Sequence, residues 1–169
     1  MIKKKLQEKL QEKLEENNNT LINKNYKKII VKVMTLSFEV MQCTKENCSE
    51  QKEKIMANKK ANSLFTNYNK ETNIQKKLKL ANQYSRNTII YEYTKCIVKY
   101  CNKMLNDVIN LLKSIIYILP ENNPKRLKLD NMIAELKTLL KTNFLTKKEF
   151  KKYIENITEL MTTIQSTSI

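Results

Sequence analysis

The chain of 169 residues contains no glycine, no histidine and no tryptophan, and only two prolines. Each absence excludes a class of chemistry. Without glycine there is no phosphate-cradling loop, no dinucleotide fingerprint and no strained nucleophile elbow. Without histidine the commonest general acid–base and the commonest metal ligand are gone. Arginine is nearly absent too: only Arg86 and Arg126 stand among 32 basic residues. Bidentate recognition of phosphates and base edges is chiefly arginine's role. Asp107 and Asp130 are the only aspartates, and the glutamates are scattered among lysines with no carboxylate pair on an apolar background. A cysteine nucleophile would need a lysine as its base, and the proximity of Lys95 and Lys99 to Cys96 is unspecific. The expectation is a protein that is not an enzyme and carries no metal or cofactor.

Long apolar runs are missing as well. The strongest, Val108 to Leu119, is 12 residues long and interrupted by Asn110, Lys113 and Ser114. A membrane span needs roughly 20 residues. Met1-Ile2-Lys3-Lys4-Lys5 is a basic start, but Leu6-Gln7-Glu8-Lys9 follows instead of an apolar region. No secretory signal is therefore expected.

What is present is lysine and asparagine. The net charge is +15, and the sequence holds 30 Lys and 21 Asn. An excess of Lys, Asn and Ile is what AT-rich codons encode, so the composition points to an AT-rich genome, such as that of a protist, a low-GC bacterium or its phage, or a large DNA virus. Hydrophobic residues make up 41%, enough for one core. A chain of this length is one domain and buries about two thirds of its unfolded surface.

Helix is expected throughout. Leu6, Leu10 and Leu14 recur every four residues among charges, a narrow stripe suited to docking or to a frayed solvated helix. Asn17-Asn18-Asn19-Thr20 reads as a break, setting residues 1–19 apart from a domain over 20–164 and a loose tail at 165–169. From Leu21, residues Tyr26, Ile29, Ile30, Val33, Met34, Ser37, Val40 and Met41 follow helical spacing. Thr72-Asn73-Ile74-Gln75 reads as a capping box opening a helix with Leu78, Ala81, Ile89, Tyr93, Ile97, Tyr100, Met104 and Leu112 on its stripe. Asn123-Pro124 starts the next helix, facing Leu127, Met132, Ile133, Leu136, Leu139 and Leu140 inward. Thr146 and Glu149 form a capping box for the last, with Leu145 and Phe150 as its staple. The fold class is all-α: a bundle built on a long antiparallel hairpin (about 21–67 and 73–119), with shorter helices over 124–142 and 146–164.

The cysteines carry the sharpest signal. They form two pairs of equal spacing, Cys43-x4-Cys48 and Cys96-x4-Cys101. The residue numbers of 43 and 101, and of 48 and 96, have the same sum, 144. Facing residues in an antiparallel hairpin share a constant sum, and the turn lies at half of it, at Thr72, where composition independently places a turn. Two disulfides across the hairpin follow as one reading. Five helical steps turn the chain by about 140°, so both sulfurs of a pair cannot point straight at the partner helix. Two other readings stay open: four free core cysteines, and a four-thiolate zinc site, although such sites use shorter spacings and a loop. Over residues 43–101 the chain resembles the twin CX(n)C helical hairpins of the mitochondrial intermembrane space, with four residues between cysteines in place of three or nine. That resemblance implies oxidative folding. Large cytoplasmic DNA viruses of AT-rich composition also build disulfide-linked virion proteins.

Residues 51–100 hold 11 basic and 3 acidic side chains. Lys52, Lys59, Lys60, Lys70, Lys76, Lys77, Lys79 and Arg86 straddle the proposed hairpin tip as a candidate basic surface, or form the solvated face of a lysine-rich chain. Tyr68, Tyr84, Tyr91 and Tyr93 offer stacking rings or belong to the core. The leading functional reading is a non-catalytic structural or assembly subunit of a larger complex, such as a virion or an organellar assembly. Its partners would be other protein subunits, docked through Leu6, Leu10 and Leu14. The second is a basic protein that binds nucleic acid nonspecifically and in a salt-dependent way. The third is a viral all-helical inhibitor of host signalling, which needs a groove for a partner helix. The expected setting is a virion or the cytoplasm of an infected cell, or alternatively the intermembrane space.

Overall fold

The computed structural model describes the backbone of residues 2–142 and 146–166, and their side chains apart from residues 2, 11, 13–23, 26, 165 and 166. Among the described residues there are helices and no strands: α1 (Ile2–Asn47), α2 (Ser49–Ala57), α3 (Lys59–Lys70), α4 (Ile74–Tyr84), α5 (Thr88–Ile116), α6 (Pro124–Lys141) and α7 (Lys147–Ser166). The chain reverses between α3 and α4, so that α3 packs on α4, and both α1 and α2 pack on α5. Then α6 lies against α5, and α7 against α4 and α6. This is the expected all-α bundle on an antiparallel hairpin, with the two C-terminal helices folded back on it.

The arms differ from the expected ones. α1 runs unbroken through Asn17–Thr20, because polar residues without Gly or Pro cost a helix only tenths of a kcal/mol each. The arm expected over 21–67 is divided at Cys48 and Asn58, and the arm over 73–119 at 85–87. The cap at the reversal is Asn73, not Thr72: Lys76 N donates to Asn73 Oδ1 at 3.1 Å.

Breaking helices without glycine has a consistent solution here. Asn58, Asn73, Asn87 and Asn123 each sit in extended conformation at an N-cap. Their side chains accept from Ala61 N (3.0 Å), Lys76 N (3.1 Å), Ile90 N (3.1 Å) and Lys125 N (3.0 Å). Each such cap is worth about 1 kcal/mol. At the other ends Ser85, Tyr117 and Thr142 stay right-handed, so none needs the positive φ that favours glycine. The asparagine excess thus has a structural use. Thr146 caps α7 by accepting from Glu149 N at 3.2 Å. The proposed staple residue Leu145 lies outside the described residues.

The core is centred on α5. Ile90, Ile109, Leu112 and Ile116 are fully buried with Leu129, Ile133, Leu136 and Leu140 of α6 and with Phe150 and Leu160 of α7. Leu127, expected on the inner face of α6, is 70% exposed because at 100° per residue it lies nearly opposite the buried stripe of Leu129, Ile133, Leu136 and Leu140, and Leu78 and Tyr100 are also exposed. Two polar contacts lock the layers. Thr158 Oγ1 donates to Ile154 O at 2.6 Å. Its one proton is thereby used, so Tyr68 Oη donates to Thr158 Oγ1, joining α3 to α7 at 2.5 Å. Asn102 Nδ2 donates to Leu140 O at 2.6 Å, satisfying a carbonyl at the end of α6. On the α6–α7 surface, Lys152 and Asn156 both reach Glu135, and their hydrogen bonds hold its carboxyl below the usual range.

Candidate functional site

Two disulfides join α1 and the α1–α2 junction to α5: Cys43 to Cys101 and Cys48 to Cys96. The Cα atoms are 6.2 and 6.0 Å apart, within the ordinary range for a disulfide. Bonded sulfurs leave neither free thiols nor thiolates for zinc. Among the described residues no group of three or more His, Cys, Asp or Glu side chains could hold a metal ion.

The geometry resolves the 140° difficulty. Cys43 and Cys96 are helical, whereas Cys48 and Cys101 leave helical conformation, with φ −125°, ψ 22° and φ −116°, ψ 19°. The first separates α1 from α2, and the second kinks α5. Taking φ from about −63° to these values turns the Cβ by roughly 50–60° about the N–Cα bond. Each bond joins one helical cysteine to one bridge-region cysteine, so the clasp has a local two-fold symmetry. The surroundings repeat it: Cys43 Sγ lies 3.7 Å from Tyr100 O and Cys96 Sγ 3.6 Å from Asn47 O. A disulfide sulfur has no proton, so these are close contacts and not hydrogen bonds. Asn47 Nδ2 donates to Cys43 O at 2.8 Å beside the break.

The basic candidates separate into two groups. Lys52 is half-buried, its ammonium 3.6 Å from the Phe65 ring centroid and 5.5 Å from that of Tyr93. Burial lowers its pKa. Lys77 lies over Tyr68 at 4.9 Å. Both cover the core and do not belong to a free surface. Lys59, Lys60, Lys70, Lys76, Lys79 and Arg86 are exposed. Lys70, Lys76 and Lys79 line one cleft of about 430 Å³, with Glu71 in its wall. Lys60 and Arg86 line another of about 500 Å³. The tyrosines are not stacking platforms. Tyr68, Tyr84, Tyr91 and Tyr93 are all buried, with Tyr68 and Tyr84 stacked at 4.3 Å and Phe65 edge-on to Tyr93 at 5.8 Å.

The docking candidates lie on α1. Leu6 and Leu10 are exposed, and the side chain of Leu14 is outside the described ones. No described side chain between residues 3 and 28 is buried or half-buried; the first half-buried one is Ile29. This stretch of helix is about 40 Å long at 1.5 Å per residue. Farther along, Val31, Met34, Phe38 and Met41 stay exposed on one side, although helical spacing predicts Met34 and Met41 in the core. They flank the inward face, on which Val33 and Thr44 are buried and Val40 is half-buried. Periodicity alone does not separate the two stripes. An apolar cleft of about 410 Å³ adjoins them, lined by Val40, Met41, Thr44, Tyr93 and Ile97 with Lys45 and Lys52. No helix among the described residues is long and apolar enough to cross a membrane.

No protein-family model matches the chain, and no curated protein or solved structure is significantly similar to it.

Proposed function

We propose that this chain is a non-catalytic structural or assembly subunit, held in a larger complex through α1 and made rigid by the clasp at the base of that helix. The observation that supports this reading is α1 itself. It is 46 residues long, and its first 27 carry no described side chain that the bundle buries. The described side chains of this stretch gain nothing from tertiary packing, so they are best understood as written for a partner. The clasp then transmits position, because it ties the end of α1 and the α1–α2 junction to α5 at two points. An oxidising assembly site, such as a virion of an AT-rich virus or an organelle's intermembrane space, supplies the chemistry the two bonds need.

The test is sedimentation of the full chain from its native setting, compared with a variant lacking residues 1–28. The full chain is expected with particles much heavier than itself, and the shortened chain as a free folded species. A full chain that sediments there as a free 20 kDa protein would contradict the reading.

A second reading, nonspecific binding of nucleic acid, is favoured by the cleft that Lys70, Lys76 and Lys79 line at the α3–α4 reversal. Lys70, Lys76 and Lys79 are all exposed there. It is tested by titrating a duplex at rising salt, where affinity should fall steeply. Replacing Lys70, Lys76 and Lys79 by alanine should make the log–log salt dependence shallower, by about one unit for each lysine that neutralises a phosphate.

A further inference from the structure

The cleft of about 410 Å³ beside the clasp is built by three helices. Val40 and Thr44, and beside them Met41 and Lys45, come from successive turns of α1. Lys52 comes from α2, and Tyr93 and Ile97 come one turn apart from α5. The disulfides run between these residues: Cys43 adjoins Thr44, and Cys96 adjoins Ile97. The walls are therefore pinned before any ligand arrives, and the volume is that of a small-molecule site. A stable protein partner needs a far wider surface, about 800 Å² a side.

The lining is divided in character. Lys52 and Tyr93 stand together at one end, the ammonium 5.5 Å from the ring centroid. Val40 and Met41 come from the other side of Cys43 and Cys48 along the chain and are apolar, as is Ile97. Tyr93 is 9% exposed, yet among the described residues its hydroxyl has no hydrogen-bond partner. A buried tyrosine hydroxyl ordinarily finds one. The Lys52 ammonium lies on the Phe65 ring, and among the described residues none of its three donors meets an oxygen acceptor. Among those residues no acidic side chain lines the cleft.

We propose that this cleft binds a small amphiphilic anion, an alkyl carboxylate of the fatty-acid class, with its headgroup at Lys52 and Tyr93 and its chain along Ile97, Met41 and Val40. This goes beyond the assembly role and does not depend on it. The carboxylate accepts charge-assisted hydrogen bonds from the ammonium and the phenol, and Lys45 adds a second positive charge at the rim. The burial that lowers the Lys52 pKa is a cost that a neighbouring anion offsets. Burial raises the Tyr93 phenol, which stays protonated and able to donate. A plain hydrocarbon would leave both donors unmet, and a compact anion such as phosphate would leave the apolar wall uncovered.

The test titrates dodecanoate, below its micelle concentration, into the full oxidised chain by calorimetry, with methyl NMR to locate it. One equivalent is expected, shifting the methyl signals of Val40, Met41 and Ile97. Acetate, with the headgroup and no long chain, and dodecyltrimethylammonium, with the chain and the opposite charge, should each bind at least about tenfold more weakly. Lys52→Met should raise the Kd about tenfold and Tyr93→Phe about threefold, while Lys125→Met on α6 leaves it unchanged. Tyr93→Phe should keep its melting temperature, since the hydroxyl it removes has no partner in the fold, so this variant reads the site even if Lys52→Met disturbs the packing over Phe65. No binding, several equivalents spread over the surface, equal binding of the dodecyl cation, or a Kd that Tyr93→Phe leaves unchanged would overturn the proposal. Binding to vesicles that carry the carboxylate in their surface, without binding to free dodecanoate, would make this a membrane contact and overturn it equally.

Discussion

Cys48 and Cys101 share one backbone conformation, φ −125°, ψ 22° and φ −116°, ψ 19°, at the second position of two identically spaced cysteine pairs. Each is bonded to the helical first cysteine of the other pair. The two bonds are nested, with separations of 58 and 48 residues. Closing one such loop stabilises by about 4 kcal/mol in the chain-entropy model, and the second bond then closes only a small ring, adding roughly 3 kcal/mol. Breaking either bond alone, as Cys43→Ala with Cys101→Ala or as Cys48→Ala with Cys96→Ala, is therefore expected to cost about 3 kcal/mol. Breaking both should cost about 7 kcal/mol, comparable to the whole stability of a domain this size. Urea titration of the three variants checks the ordering. Equal costs that simply add to the double loss would contradict the nested arrangement.

Removal of residues 1–28 should leave the bundle's stability nearly unchanged. No described side chain there is buried, and the disulfides, caps and core all lie beyond it. The melting temperature is expected to move by no more than about 2–4 °C, with helical signal lost in proportion to the residues removed. A larger drop would mean that this stretch packs on the bundle.

The hydroxyl chain from Tyr68 through Thr158 to Ile154 O is buried. Thr158→Val leaves the Tyr68 hydroxyl without its acceptor and should cost about 1–3 kcal/mol. Tyr68→Phe in that background should cost almost nothing more, because the stranded hydroxyl is then gone. A double-mutant cycle on thermal stability reads the coupling.

Stability should fall at high pH. Burial, and then the neighbouring Tyr68, push the Tyr153 phenol up to about 12. Burial raises Tyr84 further, helped by Tyr68, Tyr93 and Tyr153. An unfolded phenol ionises near pH 10, so the unfolded state loses its proton first. The stabilisation is complete below about pH 10 and is lost as pH rises towards the folded value, at about 1.4 kcal/mol per pH unit for each tyrosine. Tyr153→Phe should flatten the decline of melting temperature between about pH 9.5 and 11.5. An unchanged slope would show that Tyr153 is not protected from ionisation.

Much of this architecture is legible in the residues. Without glycine or β-type alternation only helices fit, and the shared sum of the cysteine numbers gives the hairpin register that brings Cys43 to Cys101 and Cys48 to Cys96. The breaks at Cys48, Asn58 and 85–87 are harder to read. An asparagine looks alike in a helix interior, as at Asn17–Asn19, and at a cap, as at Asn58 and Asn87. Only the tertiary demand that the chain bend around α5 selects between them. The exposed stripe of Val31, Met34, Phe38 and Met41 is hidden for a related reason. It lies beside the inward stripe of buried Val33 and Thr44 and half-buried Val40, and spacing reports a helix's apolar arc but not which part of it the bundle covers. The lysines divide in the same way: nothing in the sequence distinguishes Lys52, drawn over Phe65, from Lys59, left in solvent.

The most direct test of the clasp is mass mapping of cysteine peptides under non-reducing conditions, on protein from its native setting. The expected links are Cys43 with Cys101 and Cys48 with Cys96, with no free thiol. Links of Cys43 with Cys96 and Cys48 with Cys101, links within each pair, or four free thiols would contradict it.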